Sequence, residues 1–120
     1  MLKRFADDDS QPVRAVQAWH ILIAKAHHRQ TLTLGAMAQL LHLPDPGAVV
    51  FILGHIMLLC REHQLPPLTL LVINEKTGLG MTVGRGTADP NLDREAVYNY
   101  DWYAYWPPTS EDLRLAYARG

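Results

Sequence analysis

The sequence predicts a mostly helical α+β domain. Stretches with apolar residues at helical spacing dominate the chain, one aliphatic run is long enough for a strand, and proline and glycine clusters mark the turns between them. A chain of 120 residues fits one domain with a core of its own. We expect a single domain in which residues 1–9 are flexible, residues 29–84 form the central unit and residues 89–120 form a C-terminal extension.

The first predicted element is an amphipathic helix from about residue 11 to residue 28. Its apolar positions recur at spacings of three and four, and Ser10 and Pro12 are typical of a helix start. Three aspartates precede the helix and basic residues lie at its C-terminal end, as the helix dipole favours. Because this explains the aspartate run, we prefer it to a metal site there.

Two further helices joined by a turn are predicted next. Thr33 is expected to cap a short helix that ends before Pro44, and residues 44–47 are expected to form a turn. A longer helix should follow over residues 48–63. Its apolar residues cover nearly the whole circumference, so it must be buried on several sides or cover a partner.

A strand and a hairpin complete the central unit in this prediction. The run at residues 68–73 predicts a strand buried on both faces, residues 74–78 carry turn chemistry, and residues 81–83 are expected to return as a second strand. A helix, a helix-turn-helix and a β-hairpin wing, in this order, are the layout of a winged helix.

The C-terminal extension is expected to contain a short helix opened by Asp89 and Pro90, and a final helix. Thr109 and Asp112 have the spacing of a capping box for that final helix. Between the two helices, six aromatic residues lie within nine positions, residues 98–106. Such residues either plug one side of a core, bind a partner or stack on unpaired bases.

Residues 29–84 resemble the winged-helix DNA-binding domain of the alkylguanine-DNA alkyltransferase and alkyltransferase-like family. The matching stretches are TLTLGAMAQL, PGAVVFILGHI, QLPPL, LLVIN and TGLG. The resemblance covers about half of the chain and implies DNA binding by the helix over residues 47–63.

The departures from this family fall where its chemistry lies. Phe51 stands where the family has its base-displacing arginine, and residues 70–73 are aliphatic where the family has Pro-Cys-His-Arg. Cys60 lies on a different element from the missing acceptor. Methyl transfer to cysteine is therefore not expected.

Composition and motifs argue against an enzyme and against a strongly basic nucleic-acid binder. The formal net charge is -1, and the single Cys60 fits a reducing, cytoplasmic location. Cys60 and His63 lie three residues apart, as a nucleophile and its base do, but a buried structural thiol is the simpler interpretation. We predict no catalytic residues, no metal, no cofactor and no membrane contact.

Two functions remain, and the resemblance places DNA binding slightly ahead. The first is a non-catalytic winged-helix protein that binds distorted or modified DNA, with Phe51 as an apolar wedge. The second is a protein interaction module, such as a homodimer, an adaptor or an inhibitor, that uses the long apolar helix or the aromatic residues. The predicted DNA-binding residues are Lys25, Arg29, Thr31, Thr33, Phe51, His55, Lys76 and Arg85, and the predicted partner-binding residues are Tyr98, Tyr100, Trp102, Tyr105 and Trp106.

Overall fold

A computed structural model describes residues 2–8, 10–81 and 89–120 of the chain. Its longer helices are α1 (Gln11–His27), α2 (Leu34–Leu40), α3 (Pro46–Glu62), α4 (Pro90–Asn99) and α5 (Ser110–Arg119), and short 3-10 helices span Phe5–Asp7, Leu68–Leu71 and Trp102–Ala104. The strands β1 (Leu32–Thr33) and β2 (Val72–Ile73) form a small parallel sheet. The described part of the chain is therefore mostly helical with a minor sheet, which confirms the α+β prediction at this level.

The core lies where α3 packs against α1, α2 and α5. Helix α1 contributes small side chains with no exposed surface, at Ala15, Ala18 and Ala26, together with Leu22. Buried Val49, Ile52, Leu53, Ile56, Leu59 and Cys60 project from α3, and Leu113 and Ala116 from α5. Helix α3 is thus buried on several sides, as its apolar circumference predicted.

The helix starts follow their capping residues. The side chain of Thr33 accepts a hydrogen bond from the Ala36 amide at 3.0 Å, and Thr109 and Asp112 form the predicted capping box of α5. Ser10 occupies the predicted N-cap position of α1, although its side chain makes no capping hydrogen bond. Helix α3 begins two residues before its predicted start near residue 48, because Asp45 caps the Gly47 amide at 2.9 Å and Pro46 is the first helical residue.

Three helix ends share a left-handed residue that is not glycine. Arg29, His42 and Gln64 have φ angles of 55°, 56° and 56° and follow α1, α2 and α3. At each helix end, the amide of the residue after the left-handed one donates a hydrogen bond to the carbonyl five residues earlier. The Leu43 amide, for example, donates to the Ala38 carbonyl at 2.9 Å. This pattern is the Schellman motif, in which glycine is the usual left-handed residue.

The predicted strand over residues 68–73 was wrong for most of its length. Leu68–Leu71 is a 3-10 helix, in which the Leu70 amide donates to the Pro67 carbonyl at 3.0 Å, and β2 contains two residues. A continuous apolar run indicates burial on all sides but does not distinguish a strand from a helical turn. The burial prediction was correct, because Leu68, Leu70, Leu71 and Val72 are all buried.

The chain turns back after β2. The Asn74 amide donates to the Leu79 carbonyl at 2.9 Å, and Ile73 and Gly80 form an antiparallel bridge. Gly78 supplies the left-handed residue of this turn, with a φ of 70°. Most of the predicted second strand of the wing, from residue 82 onward, lies outside the described residues. Because the hairpin is described only up to Met81, the winged helix remains a prediction.

Candidate functional site

The aromatic residues of the C-terminal extension divide into a buried set and an exposed set. Trp102 is buried, its indole Nε1–H donates to the Val97 carbonyl at 2.8 Å, and its ring meets Trp19 edge-on with the ring centres 5.7 Å apart. Trp102 was predicted to contact a partner, but its side chain is buried in the core and is not available for such a contact. The Trp102 side chain can be buried beside α1 because the Val97 carbonyl accepts a hydrogen bond from its polar N–H.

Tyr98 and Tyr100 are half-buried and link the core to the surface. The Tyr98 ring lies beneath the guanidinium of Arg29, which is 4.8 Å from the ring centre. The Tyr100 ring contacts Trp102 at 4.7 Å and lies parallel to Tyr105, with the ring centres 6.1 Å apart. A side-chain hydrogen bond with Tyr105 is the main cause that raises the pKa of Tyr100 to about 12. The Tyr100 phenol is therefore uncharged at neutral pH.

Three aromatic side chains among residues 98–106 remain exposed after this packing. Tyr103, Tyr105 and Trp106 are 59%, 63% and 95% exposed, and together we call them the aromatic surface. The sequence-based list of partner-binding residues included Tyr105 and Trp106 but missed Tyr103. Because Trp102 points into the core, its neighbour in the same short helix turns outward, and only the packing of Trp102 reveals this.

The predicted DNA-reading face of α3 is divided by its contact with α5. Phe51 and Val50 are 56% and 40% exposed near the start of α3, as a surface contact requires. Further along, Tyr117 of α5 covers Gly54 and stacks on the His55 ring at 4.0 Å. Val50 and Phe51 thus leave one face of the first half of α3 exposed, whereas Tyr117 covers part of the second half.

His55 is removed from the candidate DNA contacts by this packing. Its side chain is buried, and its Nδ1 lies 2.9 Å from the Phe51 carbonyl in the preceding helical turn. Burial is the main cause that lowers the pKa of His55. The sequence could not show this, because the covering residue, Tyr117, lies more than sixty positions away in the chain.

The predicted phosphate contacts lie in different local environments. Arg29 pairs with Glu95 of α4 at 2.5 Å, and the Lys25 Nζ lies 3.5 Å from the Gln30 Oε1. Thr31 is exposed, whereas the Thr33 hydroxyl is used in the cap of α2. Arg85 lies outside the described residues.

Lys76 is exposed on the turn that follows β2. Its neighbour Glu75 accepts a hydrogen bond from the Gly35 amide at 3.3 Å, so a carboxylate occupies the start of α2. An acidic side chain therefore lies beside Lys76 as well as beside Arg29. Of the predicted phosphate contacts, Arg29 and Lys76 therefore do not lie in a patch free of negative charge.

Cys60 has the properties of a structural thiol. It is buried on α3, and burial raises its pKa to about 12. A nucleophilic cysteine needs a thiolate, so the thiol is unreactive in this position. Within residues 2–8, 10–81 and 89–120, no three His, Cys, Asp or Glu side chains lie close enough together to hold a metal ion.

A shallow cavity of about 440 Å³ lies between the C-terminal ends of α3 and α5. Leu58 and Ala116 provide its apolar lining, and Arg61, Glu62 and Arg119 provide its charged rim. Arg119 and Glu62 pair with each other at 2.7 Å. Much of the rim charge is therefore compensated within the protein.

The chain matches no protein-family model, no curated protein and no solved structure. Among the described helices, none combines the length and the apolar character needed to cross a membrane.

Proposed function

We propose that this protein is a non-catalytic interaction module whose aromatic surface binds a protein partner. The observation that carries the proposal is Trp106, whose side chain is 95% exposed. Tryptophan and tyrosine are enriched among the residues that dominate binding energy at protein interfaces. Leaving a full indole in water forgoes a large gain from burial, and a partner supplies that gain.

The aromatic surface is held in place from both sides, which favours binding. On one side, Trp102 and Tyr100 anchor the short helix to the core. On the other side, Pro107 and Pro108 restrict the backbone, and the Thr109 capping box begins α5. A preorganised segment loses less conformational entropy on binding than a mobile one.

Charge also favours a protein partner over nucleic acid. The formal net charge of the chain is -1. Dedicated nucleic-acid binders usually carry a basic patch or stripe. We therefore rank protein binding above DNA binding, which is the reverse of the order predicted from the sequence.

The test compares two exposed aromatic residues on different elements. The wild-type chain is immobilised, partners from a lysate of the source cells are identified by mass spectrometry, and the purified partner is titrated by calorimetry. Trp106→Ala should weaken binding at least about 30-fold, the effect of losing a hot-spot side chain, whereas Phe51→Ala should not. Equal affinity of Trp106→Ala and wild type, or the absence of any specifically retained partner, would refute the proposal. Sedimentation equilibrium tests a second copy of the chain as the partner.

A second candidate function is the binding of distorted or modified DNA. It is favoured by the exposed Phe51 and Val50 on the first half of α3, since apolar side chains act as wedges between base steps in several DNA-binding proteins. The test is binding to a short labelled duplex with and without a mismatch, measured by fluorescence anisotropy. Phe51→Ala should remove the preference for the mismatched duplex, and Trp106→Ala should leave it unchanged. Equal affinity of the wild type for both duplexes would contradict this candidate.

A further inference from the structure

The C-terminal end of α1 carries the densest run of basic residues in the described chain. Lys25, His27, His28 and Arg29 occupy four of five consecutive positions. Basic residues at a helix C-terminus interact favourably with the helix dipole, which accounts for their presence in general. It does not account for the particular environment of Arg29.

Arg29 is held on three sides. Its backbone is left-handed, with a φ of 55°, at a position where glycine is usual. Its guanidinium lies over the Tyr98 ring at 4.8 Å, and Nη2 contacts the Glu95 Oε1 at 2.5 Å. The side chain is therefore oriented before any ligand arrives, despite being about half exposed.

We propose that Arg29 is a phosphate-binding residue and that Glu95 is its competitor within the same chain. A guanidinium makes the same paired hydrogen bonds to a phosphate as to a carboxylate, so a phosphate can replace the Glu95 side chain. Tyr98 would keep the guanidinium in place during the exchange. This site lies outside the aromatic surface and does not depend on it, although it deepens the DNA candidate.

The exchange requires little free energy. The side chains of Arg29 and Glu95 are 53% and 50% exposed, and exposed ion pairs contribute at most about 1 kcal/mol. An incoming phosphate therefore has to displace only a weak ion pair between Arg29 and Glu95. Removing the Glu95 charge should increase phosphate affinity about threefold to fivefold at low salt, since 1 kcal/mol corresponds to about fivefold.

The experiment uses anisotropy of a short labelled DNA duplex at about 50 and about 200 mM salt. Glu95→Gln should bind the duplex about threefold to fivefold more tightly than the wild type at the lower salt. The matched control is Glu111→Gln, which removes the same charge from an exposed carboxylate that pairs with Arg114 on α5. This control should change affinity much less.

Arg29→Gln should weaken binding and should also abolish the effect of Glu95→Gln in the double variant. Circular dichroism checks that each variant is folded. Inorganic tripolyphosphate is added as an unlabelled competitor. Displacement of the duplex by tripolyphosphate at a concentration below the duplex Kd assigns the site to free polyphosphates, and displacement only well above that concentration assigns the site to the nucleic-acid backbone.

Two results would overturn the inference: equal effects of Glu95→Gln and Glu111→Gln, or no binding of the duplex by any variant at low salt. The DNA candidate fails separately. If the duplex binds through Arg29 but shows no mismatch preference and no effect of Phe51→Ala, the phosphate site is supported and DNA recognition by α3 is refuted.

Discussion

Replacing His42 by glycine should stabilise this protein, although the change removes a whole side chain. His42 follows α2 with a φ of 56°, and its exposed side chain lies at the left-handed position of a Schellman motif. A residue with a Cβ pays about 1–2 kcal/mol for this conformation, and glycine does not. Glycine also makes the unfolded chain more flexible, which offsets about 0.5–1 kcal/mol of the gain.

The net expectation for His42→Gly is a gain of about 1 kcal/mol in the free energy of unfolding. For a domain of this size, that gain corresponds to an increase of about 4 °C in Tm. Thermal unfolding followed by circular dichroism measures Tm, and urea unfolding measures the free energy directly. Gln64→Gly, at the equivalent position after α3 with a φ of 56°, should have an effect of the same sign.

His20→Gly is the matched control. His20 is exposed in the middle of α1, so the substitution changes the unfolded chain in the same way but replaces a right-handed helical residue. It should lower the free energy of unfolding by about 0.3–0.5 kcal/mol, because glycine has a lower helix propensity than histidine. If His42→Gly destabilises the protein as His20→Gly does, the left-handed assignment at His42 and the reasoning from it are wrong.

Three further predictions concern α3. Because burial lowers the pKa of His55, the unfolded chain binds the proton more readily, and the free energy of unfolding should fall as the pH drops below about 6.5. Urea unfolding at several pH values measures this dependence, which should be smaller in His55→Phe; an unchanged dependence would contradict the assignment to His55. The thiol of Cys60, with a pKa raised to about 12, should react with a thiol reagent at mildly alkaline pH only as fast as the protein unfolds, and rapid labelling of the native state would contradict its burial. Gly54→Leu should lower the free energy of unfolding by about 1–3 kcal/mol, because a Cβ at this position would lie 3.2 Å from the Tyr117 ring. If the effects of Gly54→Leu and Tyr117→Ala were additive in a double-mutant cycle, the two residues would not be coupled and the reasoning would be wrong.

Local signals in the sequence predicted several elements and parts of the candidate site. Proline, threonine and aspartate at helix starts act within a few residues of the chain, so the starts of α1, α2, α4 and α5 could be read from them. Phe51 and Trp106 were predicted to make contacts and are exposed, whereas the contacts themselves stay predictions. The residues after Met81 that would complete a wing lie outside the described part of the chain.

The remaining features depend on contacts between residues that are distant in sequence. The run at residues 68–73 was predicted to be buried, but whether it became a strand or a 3-10 helix depended on its position against α1 and α3. His55 and Trp102 had the composition of binding residues, yet Tyr117 and Trp19 cover them. The sequence by itself determined which side chains are apolar, where most of the helices begin and how much charge the protein carries, because these properties are local or additive. Only the tertiary structure decided which aromatic residues face solvent and which acidic side chain pairs with Arg29, because burial and ion pairing depend on how the helices pack.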